Sequence, residues 1–141
     1  GTLSEESPRS DGAPNAPLVT VWVGIHWRSP DPDATAQWYE QMLGAEIIHS
    51  PGRVDLILGG QKVFILKAPA ADNAAPPHPH IGLDHFGLQV KNLDEVAASL
   101  KARGVEFTTE PFNIRPGQRI CFVRGPQNVS IELLERDAKY K

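Results

Sequence analysis

The stretch DHFGLQVKNLDEVAASLKARGVEF, Asp84 to Phe107, reads in one pass as strand, helix, glycine stop and strand. DHFGLQV is the strand, Asn92 with Glu95 three residues on resembles a capping box, and Leu93, Val96, Ala97 and Leu100 mark one face of a helix that Gly104 ends. VEFTT, RICFVR and VSIELLE then supply three more strands, with Pro116-Gly117 and Gly125-Pro126 as the turns between them. Working backwards along the chain, the same order appears once before. LVTVWVGIHWR, from Leu18, has the β-branched and aromatic content of a strand about ten residues long. In SPDPDATAQWYEQMLG, Asp31 can cap a helix with Pro32 at its first position, Thr35, Trp38, Tyr39, Met42 and Leu43 recur at helical spacing, and Gly44 supplies the left-handed stop. AEIIHS, RVDLIL and QKVFILK follow as short strands punctuated by Pro51-Gly52 and Gly59-Gly60.

Both halves therefore read βαβββ, with the helix-stopping glycines 44 and 104 as landmarks, and the chain predicts an internal duplication. One helix covers one face of a four-stranded sheet, so two such modules pair to leave a partly lined hollow. The expected fold is α+β: two paired βαβββ modules forming a curved, barrel-like mixed sheet with a central cavity. Residues 1–17, with three prolines and one large aliphatic residue, Leu3, read as a disordered arm. A single domain spans 18–136, divided into modules 18–68 and 82–136 by an alanine- and proline-rich linker, 69–81, and a tail occupies 137–141.

Composition narrows the function. The net charge is −3 and no basic patch is visible, which argues against a nucleic-acid partner, and no apolar run approaches a membrane span, leaving small molecules as the expected partner. Cys121 is the single cysteine, in the apolar run Ile120 to Val123, and reads as an inert buried thiol. His78 and His80 in PPHPH read as exposed linker residues, and Asn128-Val-Ser130 as a tight turn rather than a glycosylation site. The compartment stays open between the cytoplasm and export after removal of a leader.

Three segments, SPDPDATAQWYEQMLGAE, LDHFGLQVKNLDEVAASLKARGVEF and RICFVRGPQNVSIELLE, give residues 19–135 a resemblance to the vicinal-oxygen-chelate superfamily of glyoxalases, bleomycin-resistance proteins and extradiol dioxygenases. In the metal-dependent members that the chain resembles, ligands sit on the first and last strands of each module, and the resemblance places His85 and Glu132 at two of these positions. Residue chemistry agrees: Glu132 stands between Ile131 and Leu133, and a buried carboxylate needs a cation or strong hydrogen bonds, whereas the plainer reading points it to solvent from a half-exposed strand. The first module departs from the pattern, since Gly24 falls at its ligand position and Phe64 at its glutamate position. His26 lies two residues on, on the same strand face and about 6.6 to 6.8 Å away along the strand, and is the expected third ligand, with a pocket acid-base group or a core histidine as the alternatives.

Two histidines and one carboxylate form a facial set that leaves coordination positions open. The resemblance thus implies a divalent metal, with Fe(II), Zn, Ni and Mn not distinguished, and an enzyme acting on a small oxygenated molecule as isomerase, lyase or ring-cleaving dioxygenase. The alternative is a metal-free binding protein of the bleomycin-resistance type, or an accessory protein with a decayed site. Arg28, Phe64, Gln89 and Arg115 are the expected substrate-binding residues, Arg115 on a loop that reads as a lid. Members of the superfamily often form dimers, several exchanging modules between chains, and a homodimer is the assembly this implies.

Overall fold

The computed structural model describes residues 17–69 and 72–141, so the arm expected at the N-terminus lies, apart from Pro17, outside the described residues. The element order is β1 (Ile25–Ser29), α1 (Pro32–Leu43), β2 (Glu46–Ser50), β3 (Arg53–Leu58), β4 (Gln61–Lys67), then β5 (Phe86–Gln89), α2 (Leu93–Ala102), β6 (Phe107–Arg115), β7 (Gln118–Arg124) and β8 (Ser130–Arg136). The duplicated βαβββ order is therefore present, and the fold is α+β. Each module forms its own four-stranded mixed sheet, β1-β4-β3-β2 and β5-β8-β7-β6, in which the first and last strands run parallel and the remaining pairs antiparallel. The two sheets are curved and not hydrogen-bonded to each other among the described residues.

Local chemistry explains the elements. Asp31 caps α1 by accepting a hydrogen bond from the Ala34 amide at 3.1 Å, and Pro32 occupies the first turn, where its missing N–H costs nothing. Gly44 then takes φ 74°, a conformation open to glycine without a Cβ penalty, and its amide donates to the Glu40 carbonyl. At the start of α2 the expected Asn92–Glu95 capping box does not form. Asn92 is left-handed at φ 57° and its side chain caps nothing; Glu135, from β8, accepts from the amides of Asn92 and Leu93 at 2.9 Å each. A buried carboxylate at a helix N-terminus satisfies two orphan donors and meets the positive end of the helix dipole, which is why it displaces the weaker local cap.

Both helices and both sheets share one core, in which Tyr39, Leu56, Ile65, Leu93, Leu100 and Leu133 are fully buried. Trp27 of β1 ties the modules together, its ring 4.6 Å from that of Tyr39 and 5.5 Å from that of Phe86. Thr35 of α1 donates across to the Gln127 side chain at 3.0 Å.

Two expectations change. The ten-residue first strand shrinks to Ile25–Ser29, and Leu18, Val19, Val21, Trp22 and Val23 stand 67–88% exposed. β propensity is realised only where a partner ladder exists, and the register with β4 begins at Ile25 opposite Val63. The loop read as a lid is a hairpin: β6 runs to Arg115 and pairs with β7, whose first residue Gln118 faces it across Pro116-Gly117. The tail pins this hairpin, the Gly117 amide donating to the Tyr140 carbonyl at 2.8 Å and the Asp137 amide to the Gly117 carbonyl at 3.0 Å.

Candidate functional site

Strand β8 lies between β5 and β7, and its alternation places Glu132 on the face opposite the core. Ile131 and Leu133 are fully buried toward the helix side, whereas Glu132 is partly exposed with Gly87 and Phe122 as its cross-strand partners. His85 precedes β5 by one residue, two before Gly87, and so shares that face. Its Nε2 stands 3.7 Å from Glu132 Oε1. Gly87 keeps the space between them clear, because a Cβ there would sit 3.1 Å from the same carboxylate oxygen.

The other side of the His85 ring is held by Asp84. Asp84 Oδ2 accepts from His85 Nδ1 at 2.7 Å and lies in close contact with His78 Nδ1, while Oδ1 accepts from the His80 amide at 2.5 Å. The His85 hydrogen bond, followed by that of the His80 amide, lowers the Asp84 carboxyl pKa to about 2. An ionised carboxylate only accepts, so Nδ1 of His85 is the donor in this pair and the ring turns Nε2 toward Glu132.

His78 is not the exposed linker residue its sequence context predicts. Its ring stacks on Phe122 with centroids 4.8 Å apart and stands edge-on to His85 at 5.4 Å, leaving the side chain 20% exposed. A proline-rich segment offers no scaffold of its own, but the Phe122 ring and the Asp84 carboxylate supply one from outside it. Asp84 and His78 are thus the residues that sequence reasoning passed over. The only local signal was an Asp-His pair opening a strand a few residues after a histidine-bearing linker.

The first module offers a different surface at the equivalent rows. The register His26–Phe64–Asp55 matches Gly87–Glu132–Phe122 strand for strand, so Phe64 takes the place of Glu132 and Gly24 that of His85. No side chain fits at residue 24, where a Cβ would lie 2.7 Å from the Lys62 carbonyl oxygen and 2.8 Å from the Phe64 ring. His26 stacks on Phe64 at 4.6 Å, and Arg53 and Lys62 lie over the same ring. Arg28 is exposed beside His26, and both line a cavity with Thr35, Tyr39 and Gln127. Gln89 faces another cavity, of about 980 Å³ between the modules, and its side chain accepts from Arg136. Arg115 sits at the hairpin end of β6. Of the residues singled out in the sequence, the structure brings together His85 and Glu132; His26 and Phe64 pair on the other sheet.

The donors around His85 suit a divalent ion of borderline softness. The His85 imidazole, oriented by Asp84, faces the Glu132 carboxylate across a gap that Gly87 keeps free of side chain, and neither His85 nor Glu132 lines either of the two cavities described above.

Comparison with known proteins agrees with this architecture. A sequence model of the glyoxalase/bleomycin resistance protein/dioxygenase superfamily matches residues 24–133. Among solved structures, the genomically encoded fosfomycin resistance protein FosX from Listeria monocytogenes is similar, with TM-score 0.68 and 18% identity over 86% of this chain and 98% of its own. A glyoxylase/bleomycin resistance protein/dioxygenase domain from Frankia sp. EAN1pec gives TM-score 0.66 at 19% identity, covering 84% of this chain and 93% of that one. TioX from Micromonospora sp. ML1 gives 0.62 at 18% identity over 82% and 95%. No curated protein matches the sequence. With both βαβββ modules present and the match running from the start of the first to the last strand of the second, the chain belongs to the glyoxalase/bleomycin resistance protein/dioxygenase superfamily.

Proposed function

We propose that this protein is a metal-dependent enzyme acting on a small oxygenated molecule, with His85 and Glu132 as protein ligands. The observation that carries the reading is the His85 Nε2 to Glu132 Oε1 separation of 3.7 Å, with the opposite ring nitrogen fixed by Asp84. An ion held there would supply Lewis-acid polarisation to vicinal substrate oxygens, serving isomerase, lyase or ring-cleaving chemistry alike. FosX is by name a fosfomycin resistance protein, which puts small oxygenated antibiotics among the first compounds to test.

His26 enters this reading through a second copy of the chain. It lies on the sheet that does not carry His85, next to an exposed apolar run from Leu18 to Val23. A homodimer that laid the first module of one protomer over the second module of its partner would cover that run and bring His26, Phe64 and Arg28 to the open side of the His85–Glu132 pair. The test is metal content after purification without chelator, for the parent protein, His85→Ala and Glu132→Ala. The reading expects a stoichiometric ion in the parent and its loss in both variants; retention in both sinks it.

A second reading, metal-free sequestration of an apolar compound, is favoured by the inter-module cavity, whose walls include Trp22, Trp27, Met42 and Phe86. Quenching of tryptophan fluorescence by hydrophobic compounds, unaffected by chelator, would support it.

A further inference from the structure

The face that carries Glu132 uses one nitrogen of His85, and the other nitrogen belongs to a second constellation. His78, Asp84 and His85 each place a donor atom within 4.8 Å of those of the other two. Both imidazoles approach a single carboxylate oxygen, Asp84 Oδ2. All three residues come from the linker end and the head of β5 in one chain, so nothing from the first module is needed. Phe122 fixes the plane of the His78 ring by stacking, His85 stands edge-on to both His78 and Phe122, and the His80 amide holds the other oxygen of Asp84. Each donor is therefore positioned by a contact outside the set, the arrangement a preformed ligand cluster requires.

We propose that His78, Asp84 and His85 form a divalent transition-metal site carried by a single chain, in which the linker histidine supplies the imidazole that Gly24 denies to the first module. Two nitrogen donors and one carboxylate select Zn(II), Co(II), Ni(II) or Fe(II) over the all-oxygen preferences of Mg(II) and Ca(II). An ion bound through Nδ1 of His85 displaces the proton that this nitrogen otherwise donates to Asp84, the ring then carrying its proton on Nε2, and so excludes an ion bound through Nε2. The site shares His85 with the centre under Proposed function but stands without Glu132 or a second copy. Because His78 already stacks on Phe122, an ion bound there would hold this end of the linker against β7.

Co(II) titration followed by calorimetry and visible absorption tests this on the full chain, with His78→Ala, Asp84→Asn, Glu132→Gln and His26→Ala alongside. The expected result is one Co(II) per chain, with affinity reduced tenfold or more in His78→Ala and Asp84→Asn. The proton spectrum of the Co(II) form should show two hyperfine-shifted exchangeable imidazole signals, falling to one in His78→Ala, a readout that a change in folding alone would not produce. Loss in Glu132→Gln with full binding in His78→Ala overturns this inference and leaves the proposed function intact. Loss in His78→Ala with full binding in Glu132→Gln supports the inference and removes Glu132 from the centre, and loss in both overturns the inference, because the site as proposed stands without Glu132. No binding by the parent chain overturns both.

Discussion

Replacing Tyr39 by phenylalanine isolates one hydroxyl in the middle of the shared core. Tyr39 is fully buried, its ring packs against Trp27 at 4.6 Å and Trp38 at 4.9 Å, and among the described residues its hydroxyl has no hydrogen-bond partner. The ring contributes by area and stacking, and Tyr39→Ala should cost about 3–5 kcal/mol. The hydroxyl contributes with the opposite sign, because an unsatisfied buried donor costs about 1–3 kcal/mol. Tyr39→Phe is therefore expected to leave stability unchanged or raise it by about 1 kcal/mol, a shift of roughly 3–4 °C in Tm for a chain of this size. The pH dependence sharpens the test. Burial raises the Tyr39 pKa far above its ordinary 10.0, so the native state resists deprotonation, and stability present below pH 10 declines as the pH rises above it. Urea denaturation at pH 7 and thermal melts between pH 9 and 12 should show the variant equal or superior at neutral pH and less sensitive to alkali. A loss above 1 kcal/mol at pH 7 would mean that the hydroxyl is satisfied in solution, and the argument would fail.

Glu135, held by the Leu93 amide, the Tyr140 hydroxyl and the Asn92 amide, has its pKa lowered from 4.5 to about 2, so its contribution is present above pH 4.5 and is lost as the pH falls toward 2. Glu135→Gln should flatten the acid limb of a plot of Tm against pH between 2 and 5; an unchanged limb contradicts the cap. Gly87→Val should leave the fold intact but lower metal affinity at least tenfold, because even a Cβ comes 3.1 Å from Glu132 Oε1; calorimetry that finds equal affinity rejects the role given to that space. Val21→Glu, on the exposed run, should shift light-scattering mass from dimer to monomer if two copies pair there, and a parent protein that is monomeric at all concentrations refutes the pairing.

Much of the fold was legible in the chain because its cues are local. Asp31-Pro32 and Gly44 bracket α1 within a few residues, and a second βαβββ pattern 60 residues later needs no knowledge of contacts. His85 and Glu132 were legible as candidates because the resemblance to the superfamily places ligands on the first and last strands of a module, with the apolar run around Glu132 as support from the residues themselves. Cross-strand register decided the rest. Glu135 displaces the local cap of α2 from 42 residues away, β6 extends past its apolar segment because β7 offers it a ladder, and His78 leaves solvent because Phe122 and Asp84 meet it from other parts of the chain. Gly24 and His26 differ by only two positions in sequence, yet backbone and ring atoms from β4 determine that the first bears no side chain and the second stacks on Phe64. Periodicity assigns a residue to a face; only packed strands fix which groups on that face meet.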